Sequence, residues 1–375
     1  MAVAELLTGP FSILGSYVLP FLAVLTLIVF VHEYGHYRVA RWCGVNVEAF
    51  SIGFGREIFG WNDRHGTRWK VCWLPLGGYV KFAGDANAAS MPDSTANRIV
   101  KPGDFQTKPV LQRAAVVVAG PAANYILAIA IFALSAMLIG VPASIPKVAA
   151  VKAGSAAEAA GILPGDVIIE VDGVATRSFE DVQRLVTPRA GDRLPIILDR
   201  NGQKVTTTVT PTETELKAGS RTVKVGLIGV ERAPDPVRLY DRKGPVEALG
   251  MALDDTWYLT SQSLYYIGRM ITGHEKTDQL AGPLGIAEMT GQAASLGFYE
   301  LMRMAAILSV SIGLLNLFPI PMLDGGHLLF YAVEAVRGKP LGQAAQELGF
   351  KVGFALVLTL MMFATWNDLV RFITT

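Results

Sequence analysis

Charge is scarce in this sequence. Asp, Glu, Lys and Arg make up 17% of its 375 residues against 51% hydrophobic, whereas ordinary soluble domains are about a quarter charged. With a mean hydropathy of +0.38, that balance argues against a single water-soluble globule and for several membrane spans. The net charge of +1 comes with no dense basic tract and gives no support for a nucleic-acid partner. The sequence has two cysteines, Cys43 and Cys72. Their number and spacing make neither a disulfide framework nor a zinc knuckle, and they read as two thiols in a reducing compartment. Lys and Arg are missing before Arg38, and no small-residue cleavage site follows the first apolar run. That run is expected to be a retained span rather than a signal peptide.

What is present stands out against this background. His32-Glu33-Tyr34-Gly35-His36 reads H-E-x-x-H inside an apolar stretch from about 17 to 39. On a helix, positions i and i+4 share a face, so the two imidazoles can meet one metal ion, with Glu33 beside them to handle a water. Ionisable groups within a span are costly, and a functional reading is the default. The chemistry is expected in or near the bilayer.

Four segments qualify as spans by length and apolarity: about 17–39, 114–141, 304–322 and 352–370. The last is the weakest, because Asn367 and Asp368 lie near its end. Residues 38–113 carry eleven Lys and Arg, so the positive-inside bias places that loop in the cytoplasm and the N-terminus outside. The C-terminus and the segment 142–303 then lie outside too, and the metal motif sits toward the cytoplasmic side. Within the loop, 68–74 and Tyr79-Val80-Lys81-Phe82 read as short strands around the turn Pro75-Leu76-Gly77-Gly78, a hairpin that is either purely structural or offers its edge to an extended peptide. Residues 84–104 read as a polar connector.

The outer segment opens with a compact pattern. A small-residue run at 154–161 leads to Pro164-Gly165-Asp166 and a strand ending in Asp172-Gly173. A helix is predicted at 178–185, then strands near 194–199 and 204–210 joined by Asn201-Gly202. This order resembles a PDZ domain over 143–233, present once. After it, Val246, Leu249, Leu253, Trp257, Leu264, Ile267 and Ile271 recur at helical spacing. They predict a long amphipathic helix on the membrane surface, against the helical bundle or on the soluble domain.

A catalytic zinc normally takes three protein ligands. His65 falls in a polar loop and His274 on the outer side, whereas Asp324 and His327 fall together in 316–327 at the cytoplasmic end of the third span. That end lies at the depth of His32 and His36. Asn124, in Gly120-Pro121-Ala122-Ala123-Asn124, and Asn316 put amides into the second and third spans, where they can serve an extended substrate's backbone or helix packing.

With these residues assembled, the chain resembles the site-2 protease family of intramembrane zinc metalloproteases, within it the bacterial RseP-type branch with a periplasmic PDZ domain. The resemblance runs through His32-Glu33-x-x-His36, Gly77–Phe82, Gly120–Asn124, the PDZ segment, Gly282-Pro283-Leu284-Gly285-Ile286 and Asn316–His327. It implies Zn2+ held by His32, His36 and Asp324, with Glu33 as catalytic base and acid. It also implies substrate binding by Asn124, Asn316 and the strand edge Gly78, Tyr79, Val80, Lys81 and Phe82. The implied partners are single-pass membrane proteins, such as trimmed anti-sigma factors and remnant signal peptides, with the lipid bilayer and a peptide ligand of the PDZ domain. The implied location is the bacterial inner membrane. The best-known relatives carry two PDZ domains where this chain shows one.

The expected fold is a polytopic α-helical membrane protein of about four spans, with a membrane-associated β-hairpin region and an inserted α+β PDZ domain. Its expected parts are a first catalytic membrane half at 1–141, the PDZ domain at 143–233, the amphipathic helix and linker at 234–300, and a second catalytic half at 301–375.

Overall fold

The computed structural model describes residues 14–84, 101–142, 145–218, 221–232, 240–273 and 281–374. The N-terminal arm at 1–13, most of the polar connector (85–100), part of the linker (234–239 and 274–280) and His274 lie outside the described residues. The chain divides into two compact units, one from Met1–Leu134 with Pro245–Asp368, the other from Ser135–Gly244 with Leu369–Thr375.

The first unit is helical around a small sheet. Helix α1 (Leu19–Trp42) begins with Pro20, where a missing N–H costs nothing, and continues in Leu, Val, Ile and Phe up to the metal motif. Strands β1 (Val47–Asn62) and β2 (Arg68–Phe82) follow. Helix α2 spans Val110–Leu138 and contains Pro121. In chain order, the helices that return to this unit are α5 (Pro245–Ile271), α6 (Pro283–Leu296), α7 (Phe298–Asn316), α8 (Asp324–Arg337) and α9 (Gln343–Thr374).

Among the described residues, four helical stretches are long and apolar enough to cross a membrane: Gly15–Trp42, Val110–Leu138, Phe298–Asn316 and Ala344–Val370. The third is displaced from the expected 304–322. Pro319 and Pro321 disfavour helix in the residues before them, so α7 stops at Asn316 and a loop runs to Leu323. Helix α7 packs through small residues at Ala305, Ala306, Ser309 and Gly313, the usual way for apolar helices to approach in a membrane. The Ser309 hydroxyl donates to the Asn124 carbonyl at 2.8 Å.

The sheet differs from the expected hairpin. Residues 68–74 and 79–82 do not pair with each other; both flank the first part of β1, with Ile52 opposite Val71 on one side and Gly78 on the other. The second part of β1 returns along 68–72. The hairpin turn is therefore at 63–67, not 75–78. Asp63 holds that turn, accepting from the backbone N–H of His65 and Thr67, from Trp69 Nε1 at 3.1 Å and from the Tyr37 hydroxyl of α1 at 2.8 Å. Burial pushes the Asp63 carboxyl up, but these four donors outweigh it and hold it at about 2. A depressed carboxylate stabilises the fold above its unfolded value of 3.8 and loses that contribution as pH falls toward about 2. Acidification through that window is expected to release Trp69, seen as a change in tryptophan fluorescence, with the step absent in Asp63→Asn.

Helix α5 has the predicted apolar stripe, but the stripe does not face the protein. Val246, Leu249, Leu253, Trp257, Leu264 and Ile271 are exposed, whereas Ala248, Ala252 and Thr256 are buried. Tyr125 of α2 meets Thr260 at 3.2 Å. The helix thus packs on the bundle through its small residues.

Asp368, which weakens the apolar signal of the last span, has a structural use. It is buried and accepts from the backbone N–H of Gly282 (3.2 Å) and Gly285 (2.8 Å), closing the N-terminus of α6 from another helix. A Cβ at Gly282 would lie 2.6 Å from its oxygen. Asp368→Ala leaves two buried N–H groups unpaired, and a loss of about 1–3 kcal/mol is expected in unfolding of the detergent-solubilised protein.

The second unit carries β3 (Val141–Pro142), β4 (Val148–Val151) and a four-stranded sheet in the order β6 (Val174–Ala175), β5 (Val167–Val171), β7 (Leu194–Arg200) and β8 (Gln203–Val209). The short helix α3 (Ala156–Ala159) precedes α4 (Phe179–Val186), which starts in a capping box between Ser178 and Asp181. Asn201 and Gly202 both have positive φ, the two-residue turn the sequence predicts between β7 and β8.

Candidate metal centre

Helix α1 places His32 and His36 one turn apart with both rings buried. Their Nε2 atoms lie 3.2 Å apart, and the rings meet edge to face. Asp324, at the start of α8, brings Oδ2 to 3.1 Å from His32 Nε2 and Oδ1 to 3.5 Å from His36 Nε2. Among the described residues, these three form a group whose ligand atoms lie within 4.8 Å of one another. Burial pushes the Asp324 carboxyl up, but the facing imidazoles outweigh it and hold it well below the carboxylate range.

The donor set fits a divalent ion. Two imidazole nitrogens and a carboxylate converge, and Asp324 Oδ2 is buried without a hydrogen-bond partner. Two nitrogen donors and one oxygen donor are a common catalytic zinc set. His327, the other candidate in its segment, is outside the group. It packs on Phe350 with ring centroids 5.4 Å apart, and burial pushes its imidazole down. His65 is exposed in the Asp63 turn.

Helix α2 forms the opposite wall with three positions four residues apart. The Val116 carbonyl accepts from His36 Nδ1 at 2.8 Å. Asn124, fully buried, lies beside His32 Nδ1 at 3.3 Å. Between them, Gly120 gives the imidazoles room: a Cβ there would be 2.3 Å from His36 Nε2. Gly35 brings the two helices together, since its Cβ would lie 2.3 Å from the Ala119 carbonyl.

Asp324 is held from several sides. Cβ atoms at Gly325 and Gly326 would collide with the Phe318 and Ile320 carbonyls, so the first turn of α8 lies flat on the preceding loop. Gly353 of α9 comes so close to Pro321 that a Cβ would be 1.7 Å from its carbonyl. Arg113 of α2 bonds Glu334 of α8 at 2.5 Å and stacks over Tyr331. Gly353 and the Arg113–Glu334 pair escape sequence reasoning, because their partners are remote along the chain. Asn316 is half-buried at the end of α7.

The Gly78–Phe82 segment pairs with β1 on one side. Backbone groups alternate along a strand, and Ala83 N–H donates back to Asn46. Gly78, Val80 and Phe82 therefore point their N–H groups the other way. There Val80 N–H bonds the Glu33 carboxylate, and a Cβ at Gly78 would lie 3.4 Å from Glu33 Cγ. The catalytic candidate and the candidate substrate edge are adjacent.

The chain is 48% identical to a candidate zinc metalloprotease of Rhizobium meliloti, over 94% of this chain and 96% of the relative. It is 43% identical to the metalloprotease MmpA of Caulobacter vibrioides, over 94% of each. A solved HtrA-type protease with a decapeptide aligns over 48% of this chain and 49% of its own at 20% identity, with a TM-score of 0.16, too low to carry a statement about fold. The model of peptidase family M50 matches residues 20–360, a span that includes His32, His36 and Asp324, and the chain belongs to this family, the site-2 proteases.

Proposed function

We propose that this peptidase hydrolyses peptide bonds within the membrane spans of single-pass proteins, with zinc held by His32, His36 and Asp324. The observation that carries the reading is the position of the three ligands. His32 lies 17 residues into the apolar helical stretch that starts at Gly15 (32 − 15), about 26 Å along it at 1.5 Å per residue. When bound, zinc supplies Lewis acidity to a water and to the scissile carbonyl. Glu33 takes the water's proton at a carboxylate oxygen and delivers it to the departing amine as the C–N bond breaks and the C–O bond forms.

A peptide bond in an intact helix is shielded, so the substrate must unwind. The N–H groups of Gly78 and Phe82 compensate its lost backbone bonds by receiving it as an added strand, with Tyr79, Val80 and Lys81 completing the segment, the Val80 N–H staying on Glu33, and Asn316 serving a further backbone group. The fold of 143–233 is read as a PDZ domain that binds a peptide end. Orientation follows the basic loop at 38–113, with the site toward the cytoplasm, the PDZ segment and C-terminus outside, and the inner membrane as the location. Substrates of this kind include outer-trimmed anti-sigma factors and remnant signal peptides.

The test is cleavage of a trimmed single-pass protein co-reconstituted in liposomes, with the cut mapped by mass spectrometry. A cut inside the apolar segment, lost with a zinc chelator and restored by zinc, supports the reading. A cut confined to the polar flanks would refute it.

A further inference from the structure

We propose that Asn124 is a positioning residue for the metal centre: its amide oxygen accepts a hydrogen bond from Nδ1–H of His32, which leaves Nε2 free for the metal. This rests on the zinc reading above and departs from a substrate-binding role for the same residue. Asn124 is completely buried, with Ser309 bonded to its backbone carbonyl and Gly313 so close that a Cβ there would lie 3.2 Å from the Asn124 Cβ. Its side-chain nitrogen is placed 3.3 Å from His32 Nδ1, and its oxygen is buried without a partner. The two ends of an amide have the same shape, so the partner decides which end faces which way.

The partner here is an imidazole with a fixed task. His32 Nε2 faces His36 Nε2 at 3.2 Å and Asp324 Oδ2 at 3.1 Å. A nitrogen that ligates a cation presents a lone pair, and a neutral imidazole with its lone pair on Nε2 carries its hydrogen on Nδ1. That hydrogen needs an acceptor. An amide nitrogen in that place would set two donors against each other, whereas the amide oxygen completes the bond. His36 is already arranged this way, with Nδ1–H donating to the Val116 carbonyl. One face of α2, at Val116, Gly120 and Asn124, thus orients both histidines and leaves a gap for their rings. Such outer partners fix ring orientation and raise ligand basicity.

Zinc affinity of the full-length protein, measured by chelator competition in detergent, separates the alternatives. An aspartate can accept but, ionised, cannot donate. Asn124→Asp is therefore expected to stay within about threefold of wild type, and Asn124→Ala to bind zinc roughly 10–100-fold more weakly. Wild-type affinity in Asn124→Ala, with only cleavage lost, would overturn the proposal and return Asn124 to the substrate. Equal weakening in both variants would overturn the acceptor role. A wild type that binds no zinc would remove the zinc reading itself. Nitrogen NMR of zinc-loaded wild type labelled at histidine needs no variant: the proposal expects His32 protonated at Nδ1 and bound through Nε2, and binding through Nδ1 would contradict it.

Discussion

Glu33→Gln is expected to lower the rate of peptide cleavage by about 10²–10⁴-fold, the usual contribution of a general base, while zinc content stays at the wild-type value. Gln keeps the shape and an oxygen that can accept from Val80 N–H, but it cannot take a proton. Glu33 lies outside the group formed by His32, His36 and Asp324, so its replacement leaves the metal donors intact. Single-turnover cleavage with zinc read from the same preparations checks both halves. Loss of zinc together with activity would show that Glu33 acts on the metal rather than on the reaction.

The second large effect is expected from one methyl group. In Gly120→Ala the new Cβ would lie 2.3 Å from His36 Nε2, 2.5 Å from His36 Cε1 and 2.9 Å from His32 Cε1. The rings cannot step aside cheaply, because His36 is bonded to Val116 and His32 lies beside Asn124. Helix α2 cannot back away alone either, since Gly35 of α1 is seated against Ala119 and Ala123. Zinc affinity is expected to fall by at least roughly 10–100-fold, the scale seen when ligand orientation is lost, and cleavage to fall with it. Gly250→Ala, where a Cβ meets nothing within 4 Å, is the matched control and should bind zinc as the wild type does.

The two substitutions also mark what the sequence makes legible. His32 and His36 could be paired from spacing alone, because the period of a helix is local knowledge. The Asn201-Gly202 turn and the helix after Ser178 were equally readable, since turn and cap chemistry act over a few residues. The position of Asp324 followed from counting spans, yet the third span itself ends earlier than its apolar run, because Pro319 and Pro321 outweigh hydrophobicity there. Partner choice was the part that could not be read. Strand 47–52 lies between two segments that look like a hairpin, and nothing in their own residues excludes pairing with each other. Asp368 reads as a flaw in a span until Gly282 and Gly285 are seen beside it. The apolar stripe of α5 predicts the helix, but small residues decide which face approaches the bundle. Gly120 opens the Gly120–Asn124 motif, but its role needs the imidazoles placed against it.

X-ray absorption at the zinc edge, on purified wild type and Asp324→Ala, tests the centre most directly. One zinc per chain, with imidazole nitrogen and oxygen donors at about 2.0–2.2 Å and an oxygen donor or the metal itself lost in the variant, is the predicted result. A sulfur donor at about 2.3 Å, or a zinc environment unchanged in Asp324→Ala, would contradict the assignment of His32, His36 and Asp324.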